Sequence, residues 1–119
     1  MGELANLFMW RRDDVVVAGV TGEIDVANAD ALEQAICAQI DLPAHGLVLD
    51  LGGLRFMDSS GVHMLLHFIE ALRARGQGLA IVMPRGSPPR RVLELSGPEL
   101  RTRLYETEDA AIAAVRAIA

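Results

Sequence analysis

Leu47-Val48-Leu49-Asp50-Leu51, closed by Gly52-Gly53, is a short apolar run of the kind that forms a strand buried on both faces. Such a strand belongs inside a mostly parallel sheet, and the segments on either side are read on that basis. Downstream, Val62, Leu65, Leu66, Ile69 and Leu72 recur at helical spacing. This stripe closes near Gly76, because glycine accepts the left-handed backbone that ends a helix. The helix starts at or just after Ser59. Leu79 to Met83 is a second buried strand, and Pro84 to Pro89, with three prolines and a glycine, is a loop. Pro89 to Leu95 reads as a third helix, Arg103 to Tyr105 as an edge strand, and Asp109 to Ile118 as a last amphipathic helix carrying Ile112, Val115 and Ile118.

Upstream, Leu7 to Trp10 and Val15 to Val20 are apolar or β-branched runs separated by Arg11, Arg12, Asp13 and Asp14, which predicts an antiparallel hairpin with a charged turn. Between hairpin and buried strand, Leu32, Ala35, Ile36 and Ile40 predict a first helix over Ala27 to Ile40, stopping before Pro43. Strands alternating with helices predict an α/β sandwich: a single domain over residues 1–119, with a mostly parallel sheet, an N-terminal antiparallel hairpin and about four helices.

The 119 residues suffice for one hydrophobic core, and about half of them are hydrophobic. No apolar run approaches the roughly 20 residues of a membrane span, and the N-terminus lacks a secretory layout, so the chain is expected to be cytoplasmic. The single cysteine, Cys37, cannot form an internal disulfide; beside Ala35, Ile36 and Ile40 it is assigned a buried packing role. A net charge of −5 argues against nucleic-acid binding. Arg85, Arg90 and Arg91 cluster, but with no interleaved aromatics they read as a solvated loop and helix start.

The segment with chemistry in it is Phe56-Met57-Asp58-Ser59-Ser60-Gly61, at the entrance to the second helix. Alone, Asp58 or Ser59 reads as a helix cap. Three stretches in order raise a functional reading. Thr21-Gly22-Glu23-Ile24-Asp25, Phe56 to Gly61, and Arg91-Val92-Leu93-Glu94-Leu95-Ser96-Gly97 make the chain resemble the STAS family from Thr21 to Tyr105, and within it the anti-sigma factor antagonists. The resemblance implies that Ser59, directly after the motif aspartate, is phosphorylated. It implies a partner, an anti-sigma factor that doubles as the serine kinase, and a serine phosphatase that removes the mark. It also places Asp25 beside the phosphorylation site. The expected docking surface is Asp25, Asp58, Ser60, Gly61, Val62 and His63, with Gly61 leaving room for the partner's backbone. Antagonists often carry a bulky apolar residue and then a small one after this glycine, whereas here Val62 is followed by His63. His63, one turn past Ser59, is expected to approach a phosphate there.

Other readings compete. His63 and His67 have a metal-chelating spacing, but the glutamate of a zinc-protease motif is absent, and a solvated helix stripe is preferred. Ser59 and Ser60 lack the flanking glycines of a nucleophile elbow, so no catalytic residue is assigned. No cofactor is assigned either. Met57, Met64 and Phe68 read as core, and Glu23 as a partner contact or, preferably, a cap for the following segment. Within the family, the alternatives to a partner switch are an accessory subunit of a lipid-transport ATPase and a scaffold in a sensory complex.

Overall fold

Three neighbouring strands organise the protein, whose computed structural model describes residues 5–41 and 44–118. They are β2 (Val15–Ile24), β3 (Gly46–Asp50) and β5 (Gly78–Val82), hydrogen-bonded in parallel. Successive side chains of a strand point to opposite faces, and here the two sets differ in size. Val16, Ala18, Leu47, Leu49, Leu79 and Ile81 enter one core; Val15, Val17, Val48, Ala80 and Val82 enter a second. The first core lies under α1 (Ala29–Cys37) and α2 (Ser59–Arg73), which supply Ile36, Leu65 and Phe68. The second lies under α5 (Glu108–Arg116), through Ala111, Ile112 and Val115. The α/β architecture follows from this double burial, which apolar strands require.

β1 (Ala5–Arg12) closes one side of the sheet antiparallel to β2, with Arg12 opposite Val15. Only Asp13 and Asp14 form the turn, both left-handed (φ 49° and 65°), the geometry of a two-residue type I′ hairpin. The strand therefore runs two residues beyond its expected end. Arg11 and Arg12 lie within it and reach opposite faces: Arg11 pairs with Asp41 at 2.8 Å, Arg12 with Glu108 at 3.1 Å and Asp109 at 2.8 Å. The remaining order is β1-β2-β3-β5-β6, with β6 (Leu104–Tyr105) parallel to β5.

One strand was not expected. β4 (Leu54–Met57) pairs in parallel with the upper part of β2, Gly22 with Leu54 and Ile24 with Met57, on the same edge that β3 uses lower down. Leu54-Arg55-Phe56-Met57 is neither alternating nor continuously apolar, so its sequence carries no strand period. α3 (Arg90–Glu94) is followed by a four-residue α4 (Pro98–Arg101), making five helices among the described residues. α1 is shorter than its expected span at both ends: residues 25–28 form a turn of their own, and the helix closes at Cys37, before Ile40 is reached.

Two burial expectations are corrected. Cys37 is exposed, one position past the inward Ile36 and on the solvent side of α1. Incomplete solvation still pushes its thiol above the ordinary range, with the charge of Glu33 adding to the effect. Arg90 is not part of a solvated cluster: its side chain is 14% exposed and bonds Glu94 and Glu106, each at 3.0 Å, as well as the Met83 carbonyl.

Candidate functional site

Because β2 and β4 are parallel neighbours with Ile24 opposite Met57, the residues that follow them, Asp25 and Asp58, emerge side by side at one end of the sheet. Crevices at the carboxyl ends of parallel strands are where α/β folds place their sites. Asp58 is the only residue between β4 and α2, and each of its polar groups is engaged. Its N–H donates to Ile24 O at 3.2 Å, its carboxylate accepts from Ser60 N–H at 2.8 Å, and its carbonyl accepts from Gly61 and Val62 N–H at 3.1 and 3.3 Å. The first turn of α2 is thus pinned to the end of β2, with aspartate as its cap.

Ser59, the first residue of α2, is exposed, and among the described residues its hydroxyl has no hydrogen-bond partner. Ser60 is half-buried. Asp25 also folds onto its own loop: its carboxylate accepts from Ala27 N–H at 2.9 Å, and its N–H donates to the Asn28 side chain at 3.0 Å. The loop presents Val26 to solvent at 80% exposure, a feature the sequence reading passed over because Val26 lies outside any periodic run. Asp25, Asp58, Ser59 and Val26 therefore belong to one end of the molecule.

Gly61, expected to leave room for a partner, faces inward instead. It is buried, and a Cβ there would lie 2.4 Å from Met57 Cγ and 3.2 Å from Ile24 Cγ2. The room it leaves is used by the protein's own core, letting α2 settle onto β2 and β4. Val62 is likewise partly buried against the first core. Met57, Met64 and Phe68 are core residues. Among the described residues the Glu23 carboxylate caps no helix; it lies 3.6 Å from Arg55 on the neighbouring strand.

His63 is exposed and lines a small groove of about 180 Å³ between α1 and α2, together with Ser60, Val26, Asp30, Glu33 and His67. Ser59 is not among the lining residues. His67 Nδ1 lies 3.3 Å from Glu33 Oε1 and so ties the two helices together. Asp30 and Glu33 give the groove an acidic wall that the histidine spacing alone did not announce. Among the described residues, no three His, Cys, Asp or Glu side chains are grouped to hold a metal ion, and no helix is long and apolar enough to cross a membrane.

The chain is similar to known proteins in sequence and in fold. A family model described as STAS domain matches residues 9–111. The anti-sigma-F factor antagonist RsfB of Mycobacterium tuberculosis is 36% identical over 103 residues, covering 86% of this chain and 82% of the relative. The crystal structure of an anti-sigma factor antagonist from Mycobacterium paratuberculosis superimposes with a TM-score of 0.82 at 36% identity, covering 94% of each chain. The phosphorylated form of the Bacillus cell fate determinant SpoIIAA superimposes with a TM-score of 0.70 at 27% identity, covering 93% of this chain and 100% of that one.

Proposed function

The chain belongs to the STAS domain family, and from that premise we propose that it is an anti-sigma factor antagonist whose docking is switched by phosphorylation of Ser59. The observation that carries the reading is the exposed Ser59 hydroxyl on a helix start already pinned by Asp58. The relatives named anti-sigma factor antagonists support the role, and the likeness to a phosphorylated SpoIIAA supports a fold that tolerates the modification.

A phosphoserine adds about −1.5 to −2 charges. At the start of α2 the N–H groups of Ser60, Gly61 and Val62 already have acceptors on Asp58, which leaves the N–H of Ser59 itself to meet such a group. The phosphate therefore projects into solvent beside Asp25 and Asp58, and the fold is spared. A partner docked over this end, however, strips water from the phosphate next to like charges. Leaving a buried charge uncompensated costs roughly 3 to 5 kcal/mol, or about a 100- to several-thousand-fold loss of affinity. In this scheme the unphosphorylated form captures an anti-sigma factor and frees its sigma factor. The captured protein acts as the kinase, a separate serine phosphatase resets the switch, and the chain itself is a substrate with no catalytic or cofactor role.

The test combines the purified chain with its anti-sigma kinase and ATP, followed by mass spectrometry and binding calorimetry. One phosphate on Ser59 is expected, with Ser59→Ala binding the partner but resisting modification. Ser59→Asp is expected to bind about 100-fold more weakly. A chain that stays unmodified, or an aspartate variant that binds like wild type, rejects the proposal.

A further inference from the structure

We propose that β1 is a self-pairing edge through which two copies associate, their sheets joined antiparallel about a two-fold axis at Phe8. The inference stands apart from the function proposed above. Among the described residues no strand pairs with the outer side of β1. Arg12 and Val15 flank a two-residue turn and so exchange a close pair of hydrogen bonds. The pattern then alternates: the even residues of β1 bond to β2, while the N–H and C=O groups of Ala5, Leu7, Met9 and Arg11 face outward. The bond from His45 N–H to Asp14 O on the opposite edge of β2 fits the same parity.

Natural proteins protect a long edge with proline, a bulge or charged side chains. β1 runs for eight residues without a proline, and its register with β2 is unbroken. Its two arginines are drawn back over their own sheet faces, Arg11 by Asp41 and Arg12 by Glu108 and Asp109. At the middle of this edge Phe8 is 57% exposed, and Trp10 is 38% exposed with its ring over Gly19.

A second copy fits because the edge is complementary to itself. With Phe8 opposite Phe8, Leu7 meets Met9 and Ala5 meets Arg11, so all four outward residues of each strand are used, giving about eight backbone hydrogen bonds. Apolar side chains meet at the centre, and the arginine pairs stay at opposite ends. Phe8 then occupies a non-hydrogen-bonded pair, where side chains approach most closely. A strip about 27 Å long falls short of the roughly 800 Å² per partner of a stable interface, so the association is weak. With a net charge of −5 on each copy, added salt tightens it.

Sedimentation equilibrium on the full chain tests the proposal. Wild type is expected to dimerise reversibly as its concentration approaches about 1 mM. Phe8→Lys and Phe8→Glu each weaken self-association by about tenfold or more, through like charges set directly opposite. An equimolar mixture of the two recovers it. Met9→Pro removes an outward N–H that β2 does not use, and is expected to abolish dimerisation while circular dichroism shows a folded chain. The proposal is overturned by a wild type that stays monomeric at about 1 mM, by a Phe8→Lys variant that associates like wild type, or by a Lys–Glu mixture that fails to recover.

Discussion

Asp58 and Gly61 hold the start of α2 from two directions, one by polar bonds to backbone, the other by having no side chain. Gly61→Ala forces Met57 and Ile24 apart and is expected to destabilise the protein by about 1 to 3 kcal/mol, read as a lower urea midpoint with unchanged slope. Asp58→Ala removes a cap and is expected to cost about 1 kcal/mol, while Asp58→Asn, which caps equally well, stays near wild type. If the alanine and asparagine variants melt alike, the cap assignment is wrong. Asp58 and Ser59 were legible in the sequence because a capping residue before an apolar stripe has a recognisable spacing. The inward orientation of Gly61 was not, since it depends on which strands lie beneath the helix.

At the level of elements, the Arg11–Asp41 bridge fastens β1 to the segment after α1. The Arg11 guanidinium holds the Asp41 carboxyl below the usual carboxylate range, with desolvation opposing it. A carboxylate whose folded value is lowered stabilises the fold fully above its unfolded value and loses that contribution as pH falls through the folded one. Both partners are well exposed, so the effect is small. The stability gap between wild type and Asp41→Asn is expected at pH 6 and should close below about pH 4. Chemical unfolding across that range measures it, and a gap that persists in acid would point to packing rather than charge. β1, β2, β3, β5, α2 and α5 were all legible from apolar period. β4 and α4 were not: one is defined by its pairing with β2, and the other is a single turn, too short to show a period.

For the whole molecule, one shared sheet serves two cores of unequal bulk, a division visible in the alternating side-chain size of Leu47-Val48-Leu49 but not in Val15-Val16-Val17-Ala18. What the sequence could not convey was coverage, because α5 packs on Val48, Ala80 and Val82 but leaves Phe8 and much of Trp10 open. The same holds at the candidate site, where Asp25 and Asp58 lie far apart in the chain and meet only because β4 returns to β2. Asp58 commits its amide, its carbonyl and one carboxylate oxygen to fastening that junction, so the start of α2 is tied to the end of β2 by several bonds at once. On the function proposed above, a mark on the Ser59 hydroxyl alters the surface and leaves this fastening in place. The message stays on the outside, legible only to whatever comes to rest there.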